Sequence, residues 1–120
     1  MVKLILISLA TFALIFGLAN AAFANTPGKT PPVTLTWTDP CTACTFNMYR
    51  GSATGVCTGT PTPLVTGISG LTYVDASVTA GTTYVYAVSA VDSAGHESAC
   101  SNEAQAVPSL PPTPGSLQAK

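Results

Sequence analysis

The stretch that most limits what this chain can fold into is residues 83–91, TYVYAVSAV. β-Branched and aromatic residues dominate it, and such residues suit a pleated, packed strand. In a strand the side chains alternate between two faces. Tyr84, Tyr86, Val88 and Ala90 then share one face, and Thr83, Val85, Ala87, Ser89 and Val91 share the other. Both faces are largely apolar. That pattern predicts a central strand, covered by the core on one side and screened on the other.

The same period of two recurs along the chain. Val33, Leu35 and Trp37 alternate with Thr34, Thr36 and Thr38, and Asp39-Pro40 ends the run. Phe46 and Met48 point inward in the next strand, with Arg50 at its end, its stem packed and its charge in water. Short strands follow around 63–66 and 71–74, separated by a turn over 67–70, and a last strand covers about 102–107. Gly51 to Gly59, Ala80-Gly81 and Asp92-Ser93-Ala94-Gly95 read as loops or turns. Candidate helices are too short, and Thr and Val dominate them. The expected fold is all-β: about seven short strands in two facing sheets, since a single sheet would leave its aromatic face wet.

The first 24 residues read differently. Lys3 precedes an almost wholly apolar run over 4–18, and small residues follow, ending Ala22-Phe23-Ala24. This is the pattern of a secretory signal with a small-x-small cleavage site. A second candidate site is Ala19-Asn20-Ala21. The competing reading is a retained anchor, because Leu4 to Ala24 is long enough to span a bilayer. Cleavage after Ala24 leaves 96 residues, enough for one domain. The expected organisation is a signal over 1–24, an extended lead-in over 25–31, a domain over 32–107 and a Pro-rich tail over 108–120. The expected location is secreted, extracellular or periplasmic.

Charge narrows the partners. After the leader, Lys29, Arg50 and Lys120 stand against Asp39, Asp75, Asp92, Glu97 and Glu103, a formal charge of −2. Without a basic stripe to neutralise phosphates, nucleic acid is not an expected partner. A basic amphipathic segment for a membrane surface is also missing, so no membrane contact is expected after cleavage. Extracellular protein or polysaccharide are the partners such a module would meet.

Four cysteines, Cys41, Cys44, Cys57 and Cys100, fall in the mature part. An even count in a small exported chain points to structural disulfides. Three complete pairings are open. Cys41 and Cys44 form a CxxC, which could alternatively serve a small metal or redox protein. A redox CxxC wants a strand leading into a helix N-terminus, whereas here the context is β and Pro40 precedes it. A zinc site would have to recruit Cys57 and Cys100.

The pieces VTLTW (33–37), FNMYRG (46–51), LTYVD (71–75), VTAGTTYVYAVSAVDSAGHES (78–98) and SNEAQAV (101–107) resemble, in family order, the fibronectin type III domains of bacterial secreted proteins. The resemblance covers Pro32 to Val107 and implies an immunoglobulin-like two-sheet sandwich. It matches Trp37 to the family's core tryptophan, and Tyr84 to the tyrosine whose hydroxyl closes a turn back onto the backbone. Immunoglobulin domains proper fit less well, because Trp37 precedes all four cysteines instead of lying between a bridging pair. The cysteines themselves depart from the usual type III pattern. In the resembling fold the loops after strands two and six share a pole, so the resemblance favours a bridge from Cys41 or Cys44 to Cys100. Cys57 would lie near the other pole unless its loop folds back, which could bring it to Cys44; the residues themselves leave this open.

The expected core is Trp37, Phe46, Met48, Tyr84, Tyr86 and Val88. His96, the only histidine, sits in the turn DSAGHE with no recognisable catalytic companion. Asp39, Asp75 and Asp92 stand near strand ends, where turn capping is the expected role. The loops 52–60 and 92–99 are candidate recognition surfaces, with Tyr49 and His96 as surface binding candidates; for Tyr49, an outward anchor and burial against a neighbouring loop fit the sequence equally well. The expectation is therefore no enzyme, no cofactor and no metal. A binding, adhesion or spacer module leads, and a purely structural domain without a specific ligand is the alternative.

Overall fold

Pro31 and Pro32 deliver the chain, already extended, into β2 (Val33–Thr38). The computed structural model describes residues 3–9 and 28–120. Both expected cleavage sites, most of the apolar leader and the start of the lead-in lie outside the described residues. Residues Lys3–Leu9 form β1, antiparallel to β2 from Lys3 opposite Thr38 to Leu9 opposite Val33. The remaining strands are β3 (Thr45–Gly51), β4 (Val65–Ile68), β5 (Thr72–Asp75), β6 (Tyr84–Val91) and β7 (Ala104–Ala106). They make two sheets, β1-β2-β5 and β4-β3-β6-β7, with no helix among the described residues.

Alternation decides which residues meet between the sheets. Val33, Leu35 and Trp37 from β2 face Phe46 and Met48 from β3 and Tyr86, Val88 and Ala90 from β6, all of them buried. Trp37 meets Phe46 edge-on, with ring centroids 5.4 Å apart, a favoured aromatic geometry. Tyr84 lies half-buried at the rim of this layer. Its hydroxyl accepts a 2.8 Å hydrogen bond from the Thr79 N–H and so closes the turn before β6. Tyr84→Phe is expected to leave the fold intact while lowering Tm modestly and speeding hydrogen exchange at Thr79. An unchanged Thr79 exchange rate would show that the hydroxyl does not hold the turn.

Two features differ from the sequence expectation. The strand expected over 63–66 is displaced, and β4 runs on through Gly67 into the expected turn. Between the pairs Met48–Val65 and Phe46–Ile68, β4 carries one extra residue. Gly67, at φ 69°, takes the left-handed conformation that such a bulge needs. The second difference concerns Arg50, whose charge is not left in water. Its Nη1 lies 2.7 Å from Oδ2 of Asp75, and Asp75 is 1% exposed. Arg50 and Asp75 each continue an inward row, on facing sheets, so alternation brings the charges together.

The second face of β6 is also dry: Val85, Ala87 and Ser89 are buried. The loop after β3 explains this. Gly51 pairs with Val85 at one side of β6, yet Cys57 is bonded to Cys100 on the β7 side. Between them the loop crosses β6, and the N–H groups of Gly55 and Val56 donate to Glu103 at 2.7 and 2.8 Å. Glycine at residue 51 gives the loop this close approach, because a Cβ there would lie 2.8 Å from Cγ1 of Val56 and the valine would have to shift.

Candidate functional site

The loop after β2 and the loop after β6 meet at one pole and enclose an open concavity of about 500 Å³. Its walls come from Asp39 to Cys44 on one side and Asp92 to Ser98 on the other, with Ala90 at the floor. Each wall is stiffened locally. Asp39 Oδ1 accepts from the Cys41 N–H at 3.1 Å, and Cys41 is bonded to Cys44 across the turn, with Cα atoms 5.6 Å apart. Oδ2 of Asp39 is buried with no partner in the structure. Asp92 Oδ1 accepts from the N–H groups of Ala94 and His96, both at 2.9 Å, while its Oδ2 lies 3.1 Å from the exposed His96 ring. Asp92 thus caps its turn, as its place in the sequence suggests.

Glu97 ties this pole to the outer face of the larger sheet. One carboxylate oxygen accepts from the Ser89 hydroxyl, the Tyr49 hydroxyl and the Asn47 amide. The Ser89 hydrogen bond, then that of Tyr49, holds the Glu97 carboxyl below the usual glutamate range. The His96 backbone N–H does the same for Asp92, helped by the ring. A general acid for glycoside cleavage needs a carboxyl held above its ordinary range. Both carboxylates here are displaced the other way, so neither is poised to donate a proton.

The structure decides between two readings of Tyr49 and corrects one expectation for the cysteines. Tyr49 is buried against a neighbouring loop, 6% exposed, instead of standing outward as an anchor. The return of the 92–98 loop sets Glu97 against its hydroxyl, and burial followed by that contact pushes the phenol up from its usual range. The expected bridge from Cys41 or Cys44 to Cys100 does not form. Cys41 and Cys44 bond to each other, and the folded-back loop carries Cys57 to Cys100 rather than to Cys44. With all four sulfurs in these two bonds, the cysteines cannot form the thiolate metal site considered above. The CxxC joins two β-strands by a turn, not by the helix N-terminus that activates a redox thiol. His96 stands exposed at the rim, paired only with Asp92.

Sequence reasoning missed the opposite pole. There Asp75 accepts from Arg50, from the Tyr86 hydroxyl at 2.7 Å, and from the N–H and hydroxyl of Ser77 at 3.0 and 2.7 Å. Arg50 also lies over the Tyr84 ring, 5.1 Å from its centroid. The cluster clamps the two sheets and offers no open site. Burial, then the hydrogen bond to Asp75, pushes the Tyr86 phenol far above its usual range.

No family model matches the chain. An amylopullulanase of Thermoanaerobacter thermohydrosulfuricus is 42% identical over 79 residues, 66% of this chain. The chain spans only about 5–7% of the length of the curated relatives it matches. Among solved structures, a β-1,2-glucanase from Parabacteroides distasonis is 25% identical, with a TM-score of 0.55; the match covers 68% of this chain and 11% of that one. An Fn3-like protein from Clostridium thermocellum is 35% identical, with a TM-score of 0.55 over 72% of this chain and 85% of that chain. With strand order, core tryptophan and turn-closing tyrosine already in place, this match over nearly the whole of a small protein shows that the chain belongs to the fibronectin type III-like family.

Proposed function

We propose that this chain is an exported, non-catalytic module that serves as a stiff spacer in proteins acting on polysaccharide. The observation that carries the reading is the state of its aromatic rings. Trp37, Phe46, Tyr49 and Tyr86 are buried, and Tyr73 and Tyr84 are half-buried against the core. Among the described residues no ring is left as a platform on which a sugar could stack. The module is also stiffened beyond its core, by the Asp75 clamp, the Glu97 contacts and two disulfides. Disulfides of this kind persist in oxidising compartments, which supports an exported setting. The amylopullulanase and the β-1,2-glucanase that it matches bear the names of polysaccharide-acting proteins, and it resembles a small part of each.

Affinity electrophoresis through gels containing pullulan, amylopectin or β-1,2-glucan tests this. Mobility is expected to equal that in a gel without polysaccharide. Saturable retardation by any of the three would replace the spacer reading with a binding one. One feature favours that second reading: the concavity beside Cys41–Cys44, where the Asp92 carboxylate and the His96 ring line the wall and stand exposed to a ligand. Retardation abolished by Asp92→Ala would place the ligand there.

A further inference from the structure

β1 is drawn from the segment whose sequence reads as a removable leader. It occupies one whole edge of β2, over seven residues, and also lies beside β7 of the other sheet. The inference below rests on the export reading just proposed. Cleavage after Ala24 takes this strand away and leaves the β2 edge unpaired. An unpaired edge over a dry core is a template for another strand. Val33, Leu35 and Trp37, the residues behind that edge, are 0–2% exposed in the complete fold.

The remaining lead-in cannot refill the slot. The Thr30 hydroxyl accepts from the Ala80 N–H at 3.1 Å and fixes the chain at the pole where β2 begins. Only Asn25–Lys29 precede it. Five extended residues span about 17 Å, and the reversal needed to run antiparallel uses about two of them. The seven-residue slot is about 24 Å long.

A better-matched strand lies after β7. Residues 109–120 are all exposed, and Leu117 is 96% exposed. Up to residue 114 the run is broken by Pro111, Pro112 and Pro114, which cannot donate to a ladder. From Gly115 onward every residue has an N–H. Leu117 and Ala119 alternate with Ser116, Gln118 and Lys120, the pattern of a strand with one apolar face.

Direction decides whose tail fits. β1 enters at the Thr38 end of β2 and leaves at the Val33 end. This chain's own tail departs from the Val33 pole, where the carbonyl of Pro108 accepts from Gly81 N–H beside Ala80 and Thr30. Folded straight back, it would run parallel to β2, against the direction the slot takes. A second copy set head-to-tail brings its tail to the Thr38 end and runs antiparallel. We propose that in the exported protein residues 115–120 of one copy pair with the β2 edge vacated by β1 in the next. Such a contact uses different surfaces on the two copies, so it propagates from module to module, as a ring or as a linear chain.

The test uses the full protein as an export-competent host processes it. N-terminal sequencing and intact mass read the cleavage, and sedimentation velocity over a concentration series reads the assembly. Cleaved protein is expected to form dimers and longer species, with β2 amides protected from hydrogen exchange. Leu117→Asp, at a site that touches nothing in the fold, is expected to weaken the association about tenfold or more while Tm of the monomer stays unchanged. Cleaved protein that remains monomeric at every concentration, or that associates equally with Leu117→Asp, overturns the proposal and leaves the export reading standing. Exported protein that keeps residues 3–9 overturns the proposal alone, and protein that stays in the cytoplasm overturns the export reading as well.

Discussion

Replacing Asp75 by alanine is expected to destabilise the domain by about 3 kcal/mol, a large fraction of what a domain of this size has. The carboxylate is 1% exposed and receives Arg50, Tyr86 and Ser77 at once. Its loss strands the Tyr86 hydroxyl in the core and leaves a cation beside it. The expected cost sits at the lower end for a broken buried pair because Arg50 is 24% exposed and can regain water. Asp75→Asn keeps an acceptor for Tyr86 and Ser77, and its cost should be smaller, about 1–3 kcal/mol. Acid separates the variants further. Burial pushes the Asp75 carboxyl up, but donors from Ser77, Tyr86 and Arg50 outweigh it and hold the group below the usual aspartate range. An unfolded aspartate titrates near about 3.9. The stabilisation is therefore complete above that value and is lost as pH falls through the lower, folded-state value. Urea midpoints at about pH 7 and about pH 2.5 should differ more for the native protein than for Asp75→Asn. Equal differences would show that Asp75 is not the linked group.

The two disulfides should contribute very unequally. Cys57 and Cys100 are 43 residues apart, and closing a loop of that length in the unfolded chain corresponds to about 4 kcal/mol. Cys41 and Cys44 are three apart, which corresponds to about 2 kcal/mol. In a domain of fewer than 100 residues each kcal/mol moves Tm by about 4–8 °C. The double variant Cys57→Ser, Cys100→Ser should thus melt at least about 16 °C lower than the native protein. Cys41→Ser, Cys44→Ser should lose about half as much. A larger loss for the short bridge would mean that the Asp39–Cys44 turn, rather than restriction of the unfolded chain, is what the disulfides support.

Much of the inner layer is legible from alternation alone. Parity places Trp37, Phe46, Met48, Tyr84, Tyr86 and Val88 on inward rows; the structure buries five of them and leaves Tyr84, at the strand's end, half-buried at the rim. The same rule already held the clamp, since Arg50 follows Phe46 and Met48, and Asp75 follows Tyr73, each at a spacing of two. Reading charges at strand ends as solvated hid it: an inward charge is tolerable when the facing sheet supplies its counter-charge, and facing is a property of two strands together. Tyr49 shows the converse. Its parity is outward, yet outward is dry here, because the 92–98 loop returns over it with Glu97.

By itself the sequence determined the period, the breaks between strands, the inner residue rows and the turn caps at Asp39 and Asp92. These depend on neighbours a few residues apart, whose chemistry is written along the chain. Only the tertiary structure decided the disulfide pairing, the burial of the second face of β6, the Asp75 clamp and the strand beside β2. Each joins groups that are distant in sequence. Their meeting depends on how a loop closes and which edge is free, and no local preference encodes that.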